Sequence, residues 1–95
     1  MPRIIWSAKA VADLVALNAW LTEHSEPSEA ALAIRAIRNQ VAGLDQFPAI
    51  GSPVSAGTRK LLIEDQPFIL LYEIEADQLQ VLRVVHNRSD WQTLL

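Results

Sequence analysis

The sequence predicts an α+β fold in the order β-α-α-β-β-β: a helical hairpin packed on a small, mostly antiparallel sheet, within one domain spanning 1–95. Two apolar stripes at helical spacing in the first half, and three β-type runs between Arg59 and Trp91 in the second, carry this reading. Phe47 to Pro53 concentrates two prolines and a glycine and marks the loop between the halves. Layer rules then place the helices on one face of the sheet.

Taken in order, Arg3 to Trp6 reads as a short strand and Ser7 as the N-cap of a helix from Ala8 to about Glu23. Ala10, Leu14, Leu17 and Leu21 form its apolar stripe, with Val11 beside them and Asp13 at the margin. His24 to Glu26 breaks the pattern. Pro27, at an early helical position where its missing N–H costs nothing, opens a second helix reaching about Asp45, striped by Ala30, Ile34, Ile37, Val41 and Leu44. Thr58 to Ile63, Phe68 to Glu75 and Gln78 to His86 are the later strands. With Ala76-Asp77 as a two-residue turn, register follows from loop length: Glu75 opposite Gln78, Tyr72 opposite Val81, Leu70 opposite Arg83. Phe68, Leu70, Tyr72, Ile74, Leu79, Val81, Arg83 and Val85 then share one face, and Ile69, Leu71, Glu73, Gln80, Leu82, Val84 and His86 the other. Both faces are apolar. The hairpin covers one, which leaves the second to the tail or to another chain.

Hydrophobic residues make up 51% of the chain, a large share for so small a protein, so part of the surplus is expected at an interface. No apolar run approaches a membrane span and no signal-peptide core follows the N-terminus. With no cysteine there is no disulfide framework, in keeping with the cytoplasm. His24 and His86 are the only histidines and neither sits in a ligand-spaced motif, so neither metal nor cofactor is expected. A net charge of −3 argues against direct nucleic-acid binding, which rewards a basic surplus.

Ile4-Ile5-Trp6-Ser7 with Ala10 to Leu14, Pro27 to Ala31, Phe47-Pro48-Ala49-Ile50-Gly51, Leu71-Tyr72 and Val81 to His86 stand in an order and spacing that resembles the RelE/ParE toxins of bacterial type II toxin–antitoxin systems. The resemblance implies the fold above and a cognate antitoxin as partner. RelE-like members are ribosome-associated ribonucleases, with an arginine two or three residues before the tyrosine and lysines in the preceding strand. Aligned on Tyr72, this chain has Ile69 in place of the arginine and Leu62 in place of one lysine; Lys60 alone has a counterpart. In-line attack by a 2′-hydroxyl needs cationic donors for the charge that develops, and isoleucine supplies none. ParE-like members, some of which poison DNA gyrase, lack that arginine and end the last strand as Val81-Leu82-Arg83-Val84-Val85-His86 does here. The resemblance therefore implies the ParE-like branch, with gyrase as target.

Under the ribonuclease alternative the site residues would be Arg59, Lys60 and His86, with His86 as general base. Arg59 and Lys60 alternate on an ideal strand, so only one of them could join it. Otherwise Arg83 pairs with Asp13 in a buried ion pair, and His86 makes a strand-end hydrogen bond to the tail. The antitoxin or target is expected on the second face, over Ile69, Leu71, Leu82 and Val84, with His86, Arg88 and Trp91 at the rim.

Overall fold

The computed structural model describes residues 2–95. Two helices pack on a five-stranded sheet in the order β1-β5-β4-β3-β2, with β1 parallel to β5 and every other pair antiparallel. β1 (Arg3–Trp6) runs into α1 (Ala8–His24), and α2 (Pro27–Gly43) returns beside it. Ser7 caps α1, its hydroxyl accepting from the Ala10 N–H at 3.0 Å. β2 (Ser52–Ser55), β3 (Thr58–Leu62), β4 (Phe68–Glu75) and β5 (Gln78–His86) complete the sheet, and a short 3-10 helix (Trp91–Leu94) closes the chain.

The core forms where the hairpin meets the sheet. Ala10, Ala33, Ile37, Val41 and Leu44 from the helical side pack with Leu70, Tyr72, Leu79 and Val81. All of these are almost wholly withdrawn from water, and burying an aliphatic side chain of this size contributes about 1.5–3 kcal/mol. Val11, expected beside the α1 stripe, instead faces solvent.

Three features depart from the sequence reading. The first is β2, which falls partly within the expected loop. Pro53 is accommodated because β2 pairs only with β3, so the lost N–H interrupts no second ladder. Gly57, at φ +80, supplies the left-handed turn between β2 and β3.

The second is a bulge in β5. From the Ala76-Asp77 turn to Tyr72↔Val81 the register follows from loop length, with Ala76 in the left-handed region at φ 54. Beyond it Leu71 pairs with Arg83 and Leu70 with Val84, so Leu82 is the extra residue. The expected Leu70–Arg83 pairing is thereby shifted by one, and the far end of β5 exchanges faces. Val84, expected on the second face, is buried in the core under the helices, and His86 pairs with Phe68 on that same side.

The third is the second face itself. Ile69 and Leu71 are only 3% and 1% exposed, so neither is the open docking residue expected. Lys60 pairs with Leu71 and leaves the sheet on its side, and the Lys60 ammonium lies 5.3 Å from the Trp91 ring centroid. The tail therefore returns across the second face.

Candidate functional site

Arg59 pairs with Tyr72 on the helix side of the sheet, beside the loop that follows α2. The Tyr72 hydroxyl, wholly buried, donates to the Pro48 carbonyl at 2.7 Å and accepts from the Gly51 N–H at 2.9 Å. The Arg59 guanidinium donates to the Gly51 carbonyl at 2.7 Å and to the Ala49 carbonyl at 3.3 Å. Gly51 is required for space: an added Cβ would sit 2.7 Å from the Tyr72 hydroxyl and 2.8 Å from the Lys60 carbonyl. Tyrosine and arginine here hold a loop. The tyrosine hydroxyl and the arginine Nη1 are both committed to its backbone.

At the bulge, Asp13 of α1 accepts from Arg83 Nε at 2.8 Å and Nη2 at 3.0 Å, and also from the Val84 N–H at 2.9 Å. Ser7 Oγ donates to the Leu82 carbonyl at 2.8 Å. β1 stops opposite Val81, so these two side chains satisfy the backbone groups that the bulge leaves without a strand. The pair is half-buried rather than enclosed, with side chains 29% and 17% exposed for Arg83 and Asp13. The hydrogen bond to Asp13, and its charge, hold the Arg83 pKa above the usual guanidinium value against the opposing effect of burial.

His86 is exposed at the far end of β5. Its Nδ1 accepts from the Arg88 N–H at 3.0 Å, and its carbonyl accepts from the Ser89 hydroxyl at 2.6 Å. An accepting Nδ1 puts the proton of the neutral ring on Nε2. That leaves no free lone pair for proton abstraction while the bond stands. The ring meets Phe68 edge-on at 5.8 Å between centroids.

Arg59, Lys60 and His86 do not converge. Arg59 and Lys60 leave β3 on opposite faces. Arg59 and His86 are two strands and four residue pairs apart, roughly 17 Å at ordinary strand spacings. What His86 does border is a groove of about 470 Å³ with Leu17, Trp20, Leu21, Phe68 and Val84 in its walls. Trp20, 54% exposed, stacks on His24 at 4.4 Å, and the His24 Nδ1–H donates to the Trp20 carbonyl at 2.8 Å. Of the residues expected to bind a partner, Leu82 is half-buried at the bulge, Arg88 is exposed beside His86, and Trp91 lies half-buried on the opposite face. The groove's α1 wall was not anticipated as a binding surface: Leu17 and Leu21 read as core stripe, and only the bulge brings His86 round to meet them.

A helical hairpin on a five-stranded, mostly antiparallel sheet is the α+β architecture that the resemblance to RelE/ParE toxins implies. The family described as ParE toxin of type II toxin-antitoxin system, parDE, matches residues 4–91, and the chain belongs to it. "Putative toxin Y4kP" of Sinorhizobium fredii is 33% identical over 98% of this chain and 96% of its own length. "Toxin RelE2" of Caulobacter vibrioides is 23% identical over 90% of this chain and 96% of its own. Among solved structures, a chain of a chromosomal ParDE toxin–antitoxin system from P. aeruginosa superposes with a TM-score of 0.83 at 30% identity, covering 90% of this chain and 96% of that one.

Proposed function

We propose that this ParE-family toxin arrests growth by binding and poisoning DNA gyrase in the cytoplasm, and that a cognate antitoxin neutralises it by filling the apolar groove beside His86. The observation that carries the reading is the dispersal of the three candidate cleavage residues: Arg59 holds the loop through Nη1, Lys60 lies on the far face against Trp91, and the His86 Nδ1 accepts from the Arg88 N–H. In-line RNA cleavage needs a general base and cationic donors around one phosphate. A protein target asks instead for exposed apolar surface with a polar margin, which the groove provides through Trp20, Leu21, Val85 and His86. The structural relative comes from a ParDE pair, which supports a proteinaceous antitoxin for this chain as well.

The test is induced expression with and without a co-expressed cognate antitoxin, followed by plasmid topology and messenger RNA integrity from the same cultures. Loss of negative supercoiling with intact messages, reversed by the antitoxin, is the expected result. Prompt cleavage of translated messages at codon positions, abolished by His86→Ala, would establish the ribonuclease alternative in its place.

A further inference from the structure

Two grooves flank α2 and carry opposite charge. One, about 790 Å³ between α1 and α2, is lined by Leu14, Val15, Ala31 and Ile34 together with Arg35 and Arg38, and by no carboxylate. The other, about 420 Å³ between the end of α2 and the β3–β4 turn, is bordered by Phe47, Ile50 and Leu61 with Glu64 and Asp65 at its rim and no cation. Among the described residues the Asp13–Arg83 pair is the only salt bridge, so all four of these charges lack an intrachain ion partner. Phe47 and Ile50 are 64% and 63% exposed, on the loop that Tyr72 and Arg59 fix in place. A rigid loop loses little entropy when its side chains are buried by a partner.

We infer that the two grooves are halves of one self-complementary interface, and that a second copy of this chain is the occupant. Glu64 and Asp65 of each copy meet Arg35 and Arg38 of the other, and Phe47 and Ile50 lie at the margin of this contact. The grooves lie on opposite sides of α2 and share Asn39. A two-fold axis running along α2 therefore lays the acidic groove of each copy over the basic groove of its mate, and both contacts form at once. An axis across α2 would superpose like charges, which disfavours that alternative. The interface stands apart from the His86 groove and does not depend on the cellular target.

Sedimentation of the purified toxin without antitoxin, over a concentration series at low and high salt, tests it. The wild type should dimerise and do so less well in high salt. Arg35→Glu with Arg38→Glu should weaken dimerisation by about tenfold or more through like-charge repulsion. The matching variant is Glu64→Arg with Asp65→Asn, because Asp65 sits at φ 62, a conformation asparagine tolerates and arginine does not favour. Each variant alone should be monomeric, whereas an equimolar mixture should form the heterodimer, since every acidic groove then faces a basic one. Circular dichroism and thermal melts establish that both variants are folded. A wild type that stays monomeric throughout, variants that dimerise as well as it does, or a mixture that stays monomeric would each overturn the inference.

Discussion

The two halves of the β4–β5 hairpin are built on the same apolar pattern and end up doing different things. In the turn half, from Tyr72 and Val81 to Ala76-Asp77, the register is the one loop length dictates, β1 covers the edge of β5, and the Tyr72 hydroxyl is saturated by the α2–β2 loop. In the far half one extra residue, Leu82, exchanges the faces of β5, and the edge beyond β1 is satisfied by Ser7 and Asp13 side chains. The closed half is finished by its own chain. The open half carries His86 to a groove that the chain does not fill. A single inserted residue thus decides which side chains are core and which remain available to a partner.

The largest expected effect comes from breaking the device that fixes the far half. Asp13→Ala removes three charge-assisted hydrogen bonds, two of them from the Arg83 guanidinium, and strands the Val84 N–H. Because the Arg83 side chain is 29% exposed and its guanidinium can recover water, the cost should be about 2–3 kcal/mol rather than the larger penalty of a fully buried pair. Denaturant unfolding measures it, and a change below about 0.5 kcal/mol would mean that the bulge holds without Asp13. Gly51→Ala probes the closed half by forcing a methyl against the Tyr72 ring and the Lys60 carbonyl, and should cost about 1–3 kcal/mol. Tyr72→Phe, which keeps the ring and deletes the clamp, should cost about 1–2 kcal/mol. In that variant, hydrogen exchange should quicken at the Gly51 amide while the Val84 amide keeps its protection. Trp20→Ala should leave stability within about 0.5 kcal/mol, since the ring is mostly in water, yet weaken antitoxin binding by about 2 kcal/mol if it is an anchor of the groove. Calorimetric titration with purified antitoxin reads that last effect, and unchanged affinity would move the interface elsewhere.

The helices, the turn and the near register were legible because periodicity and turn chemistry agree there: Ser7 before the first stripe, Pro27 opening the second, Ala76-Asp77 between two β runs. α2 ends at Gly43 rather than Asp45, an ordinary difference at a helix terminus. β2 was hidden by Pro53, which suggests a loop unless its strand lies at an edge; the Gly57 turn before Thr58 was the available sign of a hairpin. The bulge left no period to detect. Val81, Leu82, Val84 and Val85 are apolar on either register, so a slip of one residue is invisible to alternation. The roles of Tyr72 and Arg59 were equally hidden, because their partners are backbone atoms of a loop whose position only the fold determines.

The proposal that this toxin docks on a protein rather than cutting RNA is tested most directly with purified components. The protein is added to DNA gyrase with circular DNA and, in parallel, to translating ribosomes, and cleavage complexes and message integrity are followed over the same interval. Accumulation of gyrase–DNA cleavage complexes, intact messages, and suppression of the gyrase effect by antitoxin are expected. Intact gyrase activity together with codon-positioned message cleavage that disappears in His86→Ala would contradict the proposal.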